Sequence, residues 1–155
     1  MIELEPVAII TNDRLDPSDN FRGGFISTIT LCENIPDEIF DGIDQFSHLE
    51  IIYYFHLSDP KAAVDFARHP RNNMSWPKVG LFAQRNKARP NRLGLCTVEL
   101  IRREGRSLLV ERLDAVDGTP VLDIKPVMRE FQPQQPIKQP PWVSELLGDY
   151  WRARD

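Results

Sequence analysis

The chain has 155 residues and 17.9 kDa, 41% hydrophobic and 27% charged. That composition suits one globular domain with a buried core and excludes a disordered chain or two full-sized domains. No stretch reaches the roughly 18 apolar residues of a membrane span, and the start, MIELEPVAII, carries glutamates where a secretory leader needs positive charge, so a cytoplasmic protein with no membrane partner is expected.

In chain order, residues 6–11 (PVAIIT) form a short apolar run and a first strand. Residues 11–24 are polar, with Pro17 and Gly23-Gly24, and read as a long loop of the kind that is often functional in small domains. Residues 25–32 (FISTITLC) are β-branched and strand-like, with Phe25, Ile29 and Leu31 on one face. Residues 35–43 suggest one helical turn ending near Gly42. Residues 48–57 (HLEIIYYFHL) are the strongest strand, apolar almost throughout, so burial of both faces is predicted. In residues 58–69, Asp59 is a suitable N-cap and Pro60 suits the first helical position, which predicts a short helix.

Residues 79–84 and 94–103 read as strands around a basic loop, and Glu104-Gly105 as a hairpin turn into a strand at 107–113. A further strand is predicted at 119–124. Residues 131–141 hold closely spaced prolines, an extended arm. After it, Trp142, Val143, Leu146, Leu147, Tyr150 and Trp151 fall on a helical stripe that needs burial, against the domain or against another chain. Many strands and little strand–helix–strand alternation predict a compact, mostly β barrel. The barrel is placed in residues 1–132, with the arm and C-terminal helix in 133–155.

Charge is unevenly placed. Residues 1–60 hold 2 Lys+Arg against 12 Asp+Glu, residues 61–112 hold 12 against 4, and residues 113–155 hold 5 against 7. A basic middle between acidic flanks makes a local anion-attracting field unless the segments interleave in space and cancel. Cys32 and Cys96 are far apart and in no metal-ribbon spacing, which points to reduced thiols. His48, His56 and His69 lack metal-ligand spacing and read as structural, although His56 stands where a strand meets a loop. Neither a GxGxxG nor a GxxxxGK[ST] sequence is present, so neither a dinucleotide fold nor a P-loop is written here.

Two segments carry chemistry. In residues 80–95 (GLFAQRNKARPNRLGL), Arg85, Lys87, Arg89 and Arg92 crowd a loop shaped by Pro90 and Gly94, with Asn86 and Asn91 between them. Guanidinium groups grip phosphate or carboxylate bidentately and an Asn amide both donates and accepts; the alternative is a solvated loop. In residues 113–126 (LDAVDGTPVLDIKP), Asp117-Gly118 and Pro120 make a turn, with Asp114, Asp123 and Lys125 beside it. Paired aspartates suit magnesium, but nothing completes a ligand set, and no metal is expected.

Together these segments resemble the TsaA-like/TrmO-type (YaeB-like) family. Residues 80–95 are similar to its pattern G-[VIL]-F-A-T-R-S-P-x-R-P-N-P-I-G-L, residues 114–127 to D-x-x-D-G-T-P-[VIL]-x-D-I-K-P-Y, and residues 46–56 to its F-S-H-L strand. The resemblance implies a small single-sheeted β-barrel, a non-Rossmann methyltransferase fold, with S-adenosylmethionine as cofactor. It also implies a homodimer and a tRNA substrate, methylated at N6 of threonylcarbamoyladenosine beside the anticodon. Carried over by position, cofactor contacts come from Arg22, Gly23, Gly24, Phe55, His56, Arg85, Leu95, Asp114, Ala115, Val116 and Asp117. Lys87, Arg89, Asn91 and Arg92 are assigned to substrate. The sequence departs from the pattern at Gln84-Arg85-Asn86-Lys87 (family Thr-Arg-Ser-Pro), at Arg92-Leu93 (Pro-Ile) and at Val127 (Tyr).

Methyl transfer to a urea-type nitrogen is an in-line displacement in which alignment is worth on the order of 7–11 kcal/mol. The nitrogen's lone pair is delocalised, so a proton acceptor is needed as it attacks. Asp117 or Asp123 are the candidates, with Lys125 or Arg85 orienting a carboxylate. The competing readings are a non-catalytic RNA- or nucleotide-binding barrel and a methyltransferase with a different RNA or small-molecule acceptor.

Overall fold

A computed structural model describes residues 1–15 and 25–151. Six strands close into one antiparallel barrel: β1 (Ala8–Thr11), β2 (Ile26–Leu31), β3 (His48–Tyr54), β6 (Leu93–Glu104), β7 (Ser107–Glu111) and β8 (Pro120–Pro126). Around the wall they run β1-β2-β7-β6-β3-β8. The mostly β, single-sheeted barrel read from the sequence is the fold observed. Closure between β8 and β1 is secured by Val7 N–H to Val121 O (2.8 Å) and Ile10 N–H to Thr119 O (2.9 Å). Outside the barrel, β4 (Ala67–Arg68) and β5 (Val79–Gly80) pair as a two-stranded ribbon.

The barrel forms because every wall strand alternates. Ala8 and Ile10, Ile29 and Leu31, Leu49, Ile51 and Tyr53, Cys96 and Val98, Leu108 and Val110, and Val121 all point inward and are buried. The period of two places one residue in two inside. The reading of 48–57 as buried on both faces is therefore corrected: His48 is exposed, and Glu50, Ile52 and Tyr54 face outward, half-buried. Other outward apolar residues of the wall, Ile9, Ile26, Leu93, Leu95 and Ile101, are exposed. Register slips at two points, between Leu100 and Arg102 on β6 and between Val121 and Asp123 on β8, where each strand carries one extra residue. Such bulges bend a wall enough to close it.

Three further expectations change. Residues 58–69 form no helix. The Asp59 carboxylate accepts the Lys61 N–H (2.8 Å) and its carbonyl the Ala62 N–H (3.1 Å), so its capping chemistry makes a single turn. The chain then leaves to pair as β4, with Leu81 N–H on Phe66 O (2.9 Å). A short helix gains little by itself, and ribbon pairing outcompetes it. The strand read at 79–84 is only β5, followed by a 3-10 turn at Leu81–Ala83. The region 35–43 holds a 3-10 turn at Asp37–Phe40, and a second follows at Ile43–Gln45.

The arm at 131–141 is extended and exposed. The C-terminal helix α1 (Pro141–Leu146) is shorter than the stripe implied; beyond it the chain runs as turns to Trp151. Trp142, Val143, Leu146 and Tyr150 are half-buried, whereas Leu147 and Trp151 are exposed, so the stripe is only partly covered.

Gly94, facing inward on β6, lies beneath the Tyr53 ring, and a Cβ there would stand 2.5 Å from the ring's Cζ. That ring cannot swing aside, because its hydroxyl donates to Asp114 O at 2.6 Å. Gly94→Ala is expected to lower stability by about 1–3 kcal/mol through overpacking, read as a reduced urea midpoint at unchanged m-value; an unchanged midpoint would show that the ring relaxes freely.

Candidate active site at the rim of the barrel

After β7 the chain turns at Arg112, whose φ of 69° lies in the left-handed region, and crosses one end of the barrel as residues 112–119. This crossing is pinned from several sides. The Asp114 carbonyl accepts the Tyr53 hydroxyl (2.6 Å), the Asp114 N–H points at the Cys96 sulfur (3.4 Å), and Arg14 donates to Asp114 Oδ1 at 2.6 Å. The Asn12 amide bridges Ser27 Oγ (3.0 Å) and Ala115 O (2.9 Å). Asp117 Oδ1 accepts the Asn12 N–H (2.9 Å), and the Asp117 N–H donates to Arg14 O (2.6 Å). Gly118 supplies the positive φ (82°) that the Asp-Gly turn requires. Ala115 and Val116 are buried beneath this crossing.

The facing wall comes from residues 53–58 and 84–95. Phe55 packs edge-on against Tyr53 (centroids 5.4 Å apart), and its N–H donates to Arg92 O (2.9 Å). His56 faces the Asp-Gly turn: a Cβ on Gly118 would lie 3.6 Å from His56 Nε2. His56 Nδ1 is buried without a hydrogen-bond partner among the described residues. Arg85 donates to Leu95 O (2.7 Å), which ties the basic loop to β6 one residue before Cys96. Arg89 donates to Gln84 O (2.7 Å), and buried Gln84 donates in turn to Arg68 O and Val79 O on the ribbon. The basic loop is thus braced at its base.

Around Asp114 the titratable groups stay protonated. Burial, then the Asp114 charge, pushes the Tyr53 phenol well above its usual range. Burial lifts the Cys96 thiol to about 11. Tyr150, reaching in from the C-terminal segment, is also raised, by burial and then by Cys96 and Asp114. Its hydroxyl lies 3.4 Å from Asp114 Oδ2. The Arg14–Asp114 ion pair is accordingly surrounded by neutral donors.

The structure brings together Phe55, His56, Arg85, Asp114, Ala115, Val116 and Asp117. Leu95 contributes its carbonyl, but its side chain faces outward. Arg22, Gly23 and Gly24 lie outside the described residues. The three proposed catalytic groups are not gathered: Asp117 is on the rim, whereas Asp123 and Lys125 pair with each other (2.9 Å) on the outer face of β8. Register places Asp123, Ile52 and Leu95 in one outer row, with Lys125, Glu50 and Thr97 in the next. Arg92 (φ 48°) donates to the Tyr54 hydroxyl (3.3 Å), and Lys87 and Asn91 continue the loop. Among the described residues no group of three His, Cys, Asp or Glu is placed to hold a metal ion, and no helix is long and apolar enough to cross a membrane.

Sequence reasoning missed Asn12, Arg14, Tyr53, Cys96 and Tyr150. Tyr53 and Cys96 lie on strands whose sequences carry only a packing pattern, and Asn12 and Arg14 lie just past β1 in the segment read as a polar loop. Tyr150 lies 36 residues from Asp114 and reaches it through the fold alone.

The family model of the tRNA-methyltransferase O N-terminal domain matches residues 19–132. A probable S-adenosyl-L-methionine-binding protein of Pyrococcus abyssi is 32% identical over the whole chain and 83% of its own length. The human tRNA (adenine(37)-N6)-methyltransferase is 36% identical over 69% of the chain, which spans only 24% of that protein. The crystal structure of TrmO from Pseudomonas aeruginosa superimposes with a TM-score of 0.68 at 27% identity, covering 84% of this chain and 57% of that one.

A thiol held at about 11 is almost wholly protonated at pH 8, and only the thiolate is nucleophilic. Brief alkylation at pH 8 is therefore expected to label half-buried Cys32 well before Cys96, with both labelled in denaturant, as read by peptide mass spectrometry. Equal native rates would mean that the rim opens readily.

Proposed function

We propose that this chain, which belongs to the tRNA-methyltransferase O family, is an S-adenosylmethionine-dependent methyltransferase acting on adenine N6 in a tRNA anticodon loop. The observation that carries this reading is the convergence at one rim of Phe55, His56, Arg85 and the Asp114–Gly118 crossing, from three separate segments of the family pattern. The residues suit the cofactor. Asp114 and Asp117 offer carboxylate oxygens to its hydroxyl and ammonium groups, half-buried Phe55 offers an aromatic ring to a cation, and buried His56 Nδ1 has no partner among the described residues. S-adenosylmethionine supplies an electrophilic methyl group on a sulfonium.

The chain's own residues do the rest. Arg85 ties the basic loop to β6 through the Leu95 carbonyl, and its guanidinium has further N–H donors to offer a ligand. Asp117 is fixed by two backbone hydrogen bonds beside the Asp-Gly turn and, among the described residues, forms no ion pair. It is the better placed proton acceptor for an attacking nitrogen. Asp123 is engaged by Lys125, whose ammonium is held more strongly protonated by that carboxylate. The Arg14–Asp114 pair supplies a fixed dipole in a partly buried rim, so little reorganisation is needed as charge moves.

The acceptor side is the loop carrying Lys87, Arg89, Asn91 and Arg92. Phe82, 86% exposed, stands on the 3-10 turn that opens this loop, with the Arg89 guanidinium 5.9 Å from its ring. An exposed aromatic ring backed by a cation is a base-stacking surface beside phosphate-binding groups. The protein works as a homodimer in the cytoplasm on this reading. Exposed Ile26, Leu93 and Leu95 leave apolar outer-wall surface that a second copy would cover. A non-catalytic RNA-binding barrel would share the stacking surface and would use Asp117 only to pin the crossing through Asn12 and Arg14.

Incubation with labelled S-adenosylmethionine and tRNA from cells lacking the enzyme is expected to yield an N6-methylated adenosine derivative, identified by nucleoside mass spectrometry; absence of label in RNA sinks the reading. Cofactor binding by calorimetry is expected to persist in EDTA and to fall more for Arg85→Ala than for Lys87→Ala. Phe82→Ala should weaken tRNA binding by about 5- to 100-fold, the equivalent of about 1–3 kcal/mol of stacking, while leaving cofactor affinity within twofold. With four cations on a single-stranded loop, log affinity should fall against log salt with a slope of about −3. Salt-independent affinity would exclude a nucleic-acid substrate, and a change of oligomeric state in the Phe82 variant would assign that surface to self-association.

A further inference from the structure

The family match ends at residue 132, yet the chain beyond it returns to the rim. Trp76 Nε1 donates to Glu145 Oε2 at 2.7 Å, which fastens α1 to the loop that follows β4. Five residues later the Tyr150 hydroxyl reaches Asp114 Oδ2 at 3.4 Å and the Cys96 sulfur beside it. Trp151 packs edge-on against Tyr150 (5.2 Å) and lies over the Arg112 guanidinium (5.0 Å), at the strained residue where the crossing begins. Residues 141–151 therefore form a strap anchored at both ends, and its far anchor is the carboxylate at the centre of the site. The two oxygens of Asp114 are divided: Arg14 takes Oδ1 and Tyr150 takes Oδ2.

We infer that Tyr150 is a positioning residue of the site, acting through Asp114, so that strap docking and cofactor occupancy are coupled. The inference rests on the reading of Asp114 as a cofactor contact. With Oδ1 held by Arg14, the carboxylate can still rotate about its Cβ–Cγ bond. A donor on Oδ2 removes that freedom and presents the remaining lone pairs in one direction. The phenol stays a donor through neutral and alkaline pH because burial opposes its ionisation. Coupling is reciprocal: a ligand that engages an ordered Asp114 tightens the strap, and a docked strap strengthens the ligand.

The test uses the full chain and S-adenosylhomocysteine as the probe. Tyr150→Phe keeps the ring and removes the hydroxyl. Asp114→Asn leaves an oxygen for Arg14, which needs an acceptor, and turns an amide N–H toward Tyr150. Calorimetry is run on wild type, each single variant and the double variant, with hydrogen exchange at residues 147–151 and the melting temperature as companions. Tyr150→Phe is expected to weaken binding about 3- to 10-fold, the loss of one hydrogen bond, and to add less than about 1.5-fold in the Asp114→Asn background, as neighbours in one network do. Exchange at 147–151 should quicken in both single variants and slow when wild type is saturated with probe. Losses that multiply in the double variant, or a strap indifferent to both variants, overturn the inference. Should wild type bind no probe, the cofactor reading fails separately, and exchange then decides: faster strap exchange in Asp114→Asn retains the Tyr150–Asp114 link, and unchanged exchange overturns it.

Discussion

The rim depends on one anchoring arrangement, the fixing of Asp114 between the barrel wall and Arg14. The Tyr53 hydroxyl grips its carbonyl, the Cys96 sulfur faces its N–H, and Arg14 closes on its carboxylate. All three partners are buried, Arg14 to 8% exposure. Leaving a buried guanidinium without its carboxylate costs several kcal/mol, so the crossing that carries Ala115, Val116, Asp117 and Gly118 has little freedom to move. The arrangement also dictates the wall beneath it. Tyr53 reaches Asp114 only because Gly94, directly below its ring, has no side chain.

Position in the barrel separates residues that are neighbours in sequence. Asp117 and Asp123 are six residues apart on one motif, yet β8 intervenes. The turn leaves Asp117 on the rim, whereas the strand's alternation and its one-residue bulge send Asp123 to the outer face, where Lys125 two residues on can meet it. Conversely, Asn12, Arg14 and Asp117 are about 100 residues apart and bonded. The charge segments interleave in part: Arg103 of the basic middle pairs with Asp41 of the acidic first 60 residues (3.1 Å), whereas basic residues 85–92 are carried on a braced loop next to the rim.

Elements set by alternation and turn chemistry were legible in the sequence: β2, β6, β7 and β8 lie within two residues of their expected spans, and the Asp117-Gly118 turn is where the residue types put it. Elements set by long-range competition were not. Asp59-Pro60 is a sound helix start in isolation, but Phe66 and Leu81 bond across fifteen residues and draw the segment into a ribbon. Apolar content in β3 misled about its outer face, since Ile52 and Tyr54 are only half-buried there and Tyr54 turns its hydroxyl to Arg92 of the basic loop. The motif segments located half of the site. The other half is supplied by Tyr53 and Cys96, strand residues whose types are ordinary for a barrel wall, and by Asn12 and Arg14 at the start of the polar loop after β1.

The departures from the family pattern divide by what they touch. Gln84, in place of threonine, is an internal brace: its amide spans two carbonyls of the ribbon and its own carbonyl receives Arg89, so the longer side chain adds a cross-link between ribbon and loop. Asn86, in place of serine, buries both side-chain polar atoms without a partner among the described residues, a donor and acceptor pair on the acceptor side. Arg92, in place of proline, exchanges a fixed negative φ for one of 48° and gains a bond to Tyr54. None of these falls on the Asp114–Gly118 crossing. The part of the site that carries the carboxylates follows the family pattern, and the variation is concentrated on the loop that an acceptor would meet. A barrel that had lost its chemistry would be free to vary in both places. Variation concentrated on the loop, with Val127 just past β8 the one departure outside it, is what a retained methyl-donor site with an adjusted acceptor would produce.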